Sequence, residues 1–224
     1  MEMPTISSRI QEIDDEYYVI PATDSGLLRR IYELRYQIYC TERGFLPGEG
    51  GLECDEFDHR SRHIALVNRR TGELLGTARL VLPSPGADVS FPMQLVSDPR
   101  LLDDFPLKTS VEISRFAISK ERRPTTAGLM RMALIQGLVR LSGELGVTHW
   151  CAVMEPTLLR LLRMTSIYFH PLGPLVNYHG MRQPCFSRLD LLLEVLHAER
   201  PALWRYLTDG SEVWRRKVSR RIAA

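Results

Sequence analysis

The sequence predicts a mixed α/β domain, with helices on both faces of a mostly antiparallel sheet that has a parallel pair at its centre. Three observations predict it. Short β-branched runs alternate with stretches of helical apolar spacing. Two early runs are joined by turn residues, as in a hairpin. One long helical pattern then separates the run 111–118 from the run 148–154, and such a crossover makes neighbouring strands parallel. With 224 residues the chain can bury one good core. The expected organisation is a single domain over 1–200 and a basic amphipathic segment over 201–224.

The elements follow in order. Asp24 or Ser25 caps a helix to about Cys40, with Leu27, Leu28, Ile31, Leu34, Ile38 and Tyr39 as its apolar stripe. Gly44, Pro47, Gly48, Gly50 and Gly51 make 41–60 an irregular loop, and a loop so long in a compact domain is functional or mobile. His63–Asn68 and Leu74–Leu82 read as strands around the turn Arg69-Arg70-Thr71-Gly72-Glu73. Residues 93–108 are partly helical at most. After the strand 111–118, Thr125 or Thr126 opens a helix to about Leu145, with Leu129, Met132 or Ala133, Gln136 and Arg140 on successive turns. Pro156 suits the first position of a helix to about Met164. A strand pair over 167–179 and 185–193 closes the order, and Leu191–Leu196 reads equally as strand or helix.

Composition narrows the function. The 29 basic and 27 acidic residues create no global field for nucleic acid. The four cysteines, Cys40, Cys54, Cys151 and Cys185, show no zinc or dense disulfide spacing, so no metal is expected. The acidic start, 1–20, lacks the apolar core of a secretory signal, and no run reaches the roughly 18 apolar residues of a membrane span. A cytoplasmic location is therefore the expectation. In the C-terminal segment, Trp214, Val218 and Ile222 recur at helical spacing among Arg215, Arg216, Lys217, Arg220 and Arg221. Such a helix packs on the core, touches an acidic membrane as a peripheral contact, or docks an acidic partner.

The run Val111-Glu112-Ile113-Ser114-Arg115-Phe116-Ala117-Ile118 is the most informative. It is apolar enough for a sheet interior, yet carries a carboxylate and a guanidinium. In a regular strand Glu112 and Arg115 point to opposite faces. A β-bulge between them would bring both to one side and free a backbone N–H, and bulges are common beside active sites. A structural ion pair at a sheet edge is the alternative.

Five motifs in order carry a resemblance: Arg35 with Tyr39; Asp55-Glu56-Phe57-Asp58; Gly76-Thr77-Ala78-Arg79-Leu80; Phe91; and Glu112, Ser114, Arg115, Phe116 as Glu-x-Ser-Arg-Phe. Together they resemble the GNAT-fold acyl-homoserine-lactone (autoinducer) synthases and their relatives, the long-chain N-acyl amino acid synthases and the PEP-CTERM/exosortase-associated acyltransferases. The match covers about residues 25–120. The resemblance implies a three-layer α-β-α sandwich with the central parallel pair splayed. The lactone synthases carry a tryptophan that helps hold S-adenosylmethionine, where this chain has Gly44-Phe45-Leu46. Tyr178-His179-Gly180 and Arg182-Gln183-Pro184-Cys185 look more like the exosortase-associated group.

The resemblance implies acyl transfer from a thioester to an amine. Glu112 would take the ammonium proton, and Arg115 would orient it or hold an acceptor carboxylate. Arg35, Tyr39, Asp55, Asp58, Arg79 and Phe91 are the expected neighbours of the acceptor. In the plain alternative Asp55 and Asp58 cap the loop or pair with Arg60 and Arg62, and Arg35 and Arg79 lie along the surface. If the strands at 111–118 and 148–154 splay, the pantetheine arm and acyl chain enter between them. Ser114, Phe116, Ile118, Met130, Cys151, Val153 and Leu162 would line that slot, or else be plain core. Many acyl-CoA enzymes of this fold place a glycine-rich pyrophosphate cradle before the following helix. Here Arg122-Arg123-Pro124-Thr125-Thr126-Ala127 replaces it, which suits the single phosphate of an acyl-phosphopantetheine carrier. The alternative is a solvated turn. The expected reaction moves a fatty acyl group from acyl-carrier protein to a small amine such as an amino acid, with no bound cofactor and no nucleic acid. The rivals are lactone synthesis with S-adenosylmethionine, acyl-CoA-dependent N-acetylation, and a non-catalytic acyl-binding module.

Overall fold

The computed structural model describes residues 6–48, 50–84, 86–103, 105–120 and 127–210. Helix α1 (Ile6–Glu16) leads into strand β1 (Tyr17–Pro21) and helix α2 (Ser25–Tyr36). Asp24 caps α2, its carboxylate accepting from the Leu27 N–H at 2.8 Å. The helix then widens into a π-turn over Gln37–Glu42, a distortion frequent at functional sites. Strands β2 (Ser61–Asn68) and β3 (Leu74–Val81) form the expected hairpin, and three short 3-10 turns precede β4 (Ser110–Ile118). Helix α3 (Ala127–Glu144), β5 (His149–Met154), α4 (Pro156–Arg163), β6 (His170–Pro171), β7 (Val176–Asn177), β8 (Met181–Arg188), α5 (Leu189–Glu199) and α6 (Pro201–Leu207) complete it.

The sheet runs β1-β2-β3-β4-β5-β8-β6, with β7 paired to β8. Every pairing is antiparallel except β4 with β5, the expected crossover through α3. Strand alternation assigns the two faces. On β2, Ile64 and Leu66 join α3, α5 and α6 in the main core, whereas Ala65 and Val67 pack with Ile31 and Leu34 of α2. A third cluster, with Phe57, Val81, Phe91, Met93 and Cys151, lies beside β3 and β5.

Four expectations need correction. The start of the chain contributes α1 and β1, which the sequence reading left unassigned. The buried stripe of α3 is Met130, Leu134, Leu138 and Leu141, not the face through Gln136 and Arg140. The expected strand over 167–179 shrinks to two two-residue bridges around Gly173 and Pro174, and 189–199 is helical. Leu203, Trp204, Tyr206 and Leu207 of α6 belong to the main core, so 201–207 pack with the domain; residues 211–224 lie outside the described residues. Among the described residues no helix is long and apolar enough to cross a membrane, and no His/Cys/Asp/Glu group could hold a metal ion.

Candidate active site

The expected bulge is present on β4. Arg79 stands opposite Ser114 and Thr77 opposite Ala117, so Arg115 and Phe116 together face Ala78 alone. Arg115 takes φ 49°, the left-handed region, which costs a non-glycine residue roughly 1–2 kcal/mol. The kink turns its guanidinium to the Ser114 side of the sheet, where Ser114 Oγ accepts from Arg79 Nε at 2.9 Å.

What Arg115 meets there is not Glu112 but a closed ring of charges. Its guanidinium pairs with Glu53 at 2.8 Å and Asp55 at 2.9 Å. Asp55 pairs with Arg79, Arg79 with Asp58, Asp58 with Arg35, and Arg35 with Glu53 again. Each of the three arginines thus touches two carboxylates, and each carboxylate touches two arginines. Burying one such charge without its partner costs several kcal/mol; alternation removes that penalty. The guanidiniums hold Glu53, Asp55 and Asp58 below the usual carboxylate range against the opposing effect of burial. His63, 4 % exposed and 3.6 Å from Asp58, is pushed down to about 4, chiefly by burial.

This ring revises several expected roles. Arg35 and Arg79 are wholly buried, and their guanidiniums are taken up by Glu53, Asp55 and Asp58. With Asp55 and Asp58 they form a platform absent from the cleft lining. Asp55 and Asp58 also cap the loop, accepting from the Phe57 N–H at 2.9 Å and the Asp55 N–H at 2.7 Å, and do not pair with Arg60 or Arg62 among the described residues. Phe91 is also wholly buried and packs with Phe57 and Met93. Arg115 does not orient Glu112. Glu53 went unnoticed in the sequence, although Glu53-Cys-Asp55 spacing and the surplus of three arginines over two aspartates signalled it.

Glu112 stands apart from the ring. It is 1 % exposed and accepts one hydrogen bond, from the Met93 N–H at 2.7 Å. Burial pushes its carboxyl up to about 8, against the opposing pull of that N–H, Arg79 and Arg115. Glu112 with Cys151 is also the last pair of the parallel ladder. Beyond it β4 pairs only with β3, and β5 only with β8. The splay opens a cleft of about 320 Å³.

Ser114, Phe116, Ile118, Val153 and Leu162 line the cleft. Met130 and Cys151 do not: Met130 lies in the main core, and Cys151 packs in the third cluster with its thiol directed to the Val111 carbonyl at 3.6 Å. At the polar end the cleft meets Glu112, Arg115, Tyr39 and Tyr178. The Tyr39 ring centre lies 5.5 Å from the Arg115 guanidinium carbon. Tyr178, raised above its usual range chiefly by burial, is held down in part by Arg115. The other end is apolar, with Ile135, Leu138, Ile167, Phe169 and Trp150. Trp150 donates to Ser142 Oγ at 2.8 Å and stacks on Phe169 with centroids 6.3 Å apart. Arg122 and Arg123 lie outside the described residues.

Residues 34–133 match the family described as an acetyltransferase (GNAT) domain. No curated protein matches the chain. Among solved structures, TofI in a ternary complex with an inhibitor and MTA superposes with TM-score 0.63 at 21 % identity, over 84 % of this chain and 99 % of that one. BjaI, a CoA-dependent acyl-homoserine lactone synthase with SAM and isopentyl-CoA, gives 0.59 at 22 %, over 82 % and 88 %. FeeM, an N-acyl amino acid synthase from uncultured soil microbes, gives 0.56 at 15 %, over 82 % and 96 %. Residues 34–133 are thus similar to an acetyltransferase (GNAT) domain, and the chain shares the fold of the acyl-homoserine-lactone and N-acyl amino acid synthases on which it superposes.

Proposed function

We propose that the protein transfers a fatty acyl group from acyl-carrier protein to the amine of a small acceptor such as an amino acid. One observation carries the reading: a buried carboxyl, Glu112, with no counter-ion among the described residues, stands where the two parallel strands part. The thioester arm lies in the splay, its amides pairing with the β4 edge as an added strand does. Glu112 as carboxylate takes a proton from the acceptor ammonium. Raised to about 8, Glu112 is a stronger base than an ordinary carboxylate, which narrows the gap to the acceptor ammonium. The amine nitrogen then bonds to the thioester carbon and the C–S bond breaks. The nitrogen gives up its second proton to solvent as the amide forms, and the proton on Glu112 passes to the thiolate, which leaves readily with a pKa of about 8.5. A backbone N–H freed at the bulge binds the oxyanion, a role worth roughly 3 kcal/mol where it has been measured.

The acyl chain occupies the apolar end and stops at Trp150. The carrier protein is favoured over coenzyme A by Arg122, Arg123 and Pro124, where a pyrophosphate cradle would need glycines. A cytoplasmic reaction is part of this proposal, and the resemblance of Tyr178-His179-Gly180 to the exosortase-associated group supports a role with that system. The test is mass spectrometry after incubation with dodecanoyl-carrier protein or dodecanoyl-CoA and a panel of amino acids. Acyl-amino acid formed from the carrier and lost in Glu112→Gln supports the reading; product from coenzyme A alone refutes the donor. Because TofI and BjaI were solved with MTA or SAM, the panel includes S-adenosylmethionine. Release of an acyl-homoserine lactone would replace this acceptor with that one.

A further inference from the structure

The roof of the cleft comes from three separate segments. Arg43 and Phe45 follow the π-turn, Glu155 precedes α4, and His179 and Arg182 belong to the β7–β8 hairpin. His179 Nδ1 lies 3.1 Å from the Phe45 carbonyl oxygen, tying hairpin to loop. Arg43 Nη1 and Arg182 Nη2 both reach Glu155 Oε1, at 3.2 and 3.3 Å. Both guanidiniums also lie on the Phe45 ring, 5.4 and 5.2 Å from its centre.

Two cations therefore share one carboxylate oxygen, and the roof holds one positive charge in excess. The ion-paired ring beneath does not cancel it. The ring of Arg35, Arg79 and Arg115 is balanced by Glu53, Asp55 and Asp58. Guanidinium forks suit planar carboxylates, and Glu155 already demonstrates one seated between them. Glu155 is also the most exposed of the three, its side chain 37 % exposed against 26 % for Arg43 and 13 % for Arg182. Two aromatic faces at this end already carry guanidiniums: Phe45 these two arginines, and Tyr39 Arg115. A sulfonium placed on either face would meet like charge.

We infer that Arg43 and Arg182 bind a carboxylate of the acceptor, that Glu155 fills that place when no acceptor is present, and that the acceptor is an anionic amine and not a sulfonium. This rests on the transferase reading above, and the test separates the two. Calorimetry would compare N-dodecanoylglycine with N-dodecanoylglycinamide, which have the same chain and differ only in the carboxylate. The wild type should bind the acid at least tenfold more tightly. Arg43→Met with Arg182→Met should remove that preference while the amide still binds, and Glu155→Gln should tighten the acid. Equal binding of both probes by the wild type, or equal weakening of both in the double variant, would overturn the assignment. If the double variant does not fold, Glu155→Gln decides alone: unchanged affinity for the acid refutes the stand-in. A tenfold preference for the acid without acyl transfer from dodecanoyl-carrier protein to glycine would keep this site and remove the transferase reading.

Discussion

Glu112→Gln separates what the carboxyl does in folding from what it does in catalysis. In the folded protein the group titrates at about 8 instead of its ordinary 4.5. At about 1.4 kcal/mol per pH decade, that displacement corresponds to roughly 5 kcal/mol. The sign follows from proton counting. Between pH 4.5 and 8 the folded chain keeps a proton that the unfolded chain has released. Raising the pH through that window therefore withdraws stability, and above pH 8 the whole cost is present. Glutamine has nearly the same shape, still offers an Oε1 to the Met93 N–H, and does not titrate.

Urea melts of both proteins at pH 5, 6.5 and 8.5 measure this directly. The variant should match the wild type near pH 5 and exceed it by several kcal/mol at pH 8.5. Acyl transfer should behave in the opposite way. Wild-type turnover should rise with pH to about 8, and the variant should lose roughly 10²- to 10⁴-fold, the usual worth of a positioned base. Parallel stability curves would show that Glu112 ionises normally. A more stable variant with full turnover would leave the burial argument standing and dispose of the base.

Other perturbations probe the surroundings. Asp58→Asn leaves Arg35 and Arg79 each short of a carboxylate and should cost about 3–5 kcal/mol in a urea melt; a loss under about 1 kcal/mol would make the ring dispensable. Because the folded pKa of His63 is lowered to about 4 from 6.5, stability should fall as pH drops from 6.5 to 4. His63→Leu should flatten that limb of the curve, and an unchanged limb would assign it to other groups. Trp150→Leu opens the apolar end and should lengthen the acyl chains found in the product by mass spectrometry, whereas an unchanged distribution would place the chain elsewhere. A Cβ on Gly137 of α3 would come within 2.5 Å of Val19 Cγ1 and 3.1 Å of Ile64 Cδ1. Gly137→Ala should therefore cost roughly 1–3 kcal/mol by overpacking, read as a lowered thermal midpoint.

What could be read in the sequence was local. Asp24 announces α2 because capping needs only neighbouring N–H groups, and the β2–β3 turn is written in Thr71-Gly72. Parity could only pose the bulge as the condition for Glu112 and Arg115 to share a face, with a structural ion pair at a sheet edge as the alternative. What could not be read depends on distant partners. β1 is five residues at a sheet edge, recognisable only once β2 and Gly137 of α3 lie against it. Leu189–Leu196 is apolar without a clear period; its helical start is set where the Leu189 N–H donates to the Thr148 carbonyl at 2.9 Å. Arg115 was legible as a charge in a strand, but its partner Glu53 lies 62 residues away.

That distant pairing explains why Glu112 is poised. If the ring lacked Glu53, Arg115 would be the surplus cation nearest the kink, and its field would favour an ionised Glu112. Because three carboxylates meet three guanidiniums, the ring spends its charge on itself and on holding Arg115 at positive φ. Arg79 and Arg115 still lower the Glu112 carboxyl, but burial outweighs them. The same paired charges thus fix the bulge that opens the cleft and leave Glu112 without a counter-ion among the described residues. The platform residues act on catalysis without lining the cleft. Asp58→Asn carries a second expectation on that account: besides losing stability, the folded variant should show its pH–rate midpoint displaced from that of the wild type.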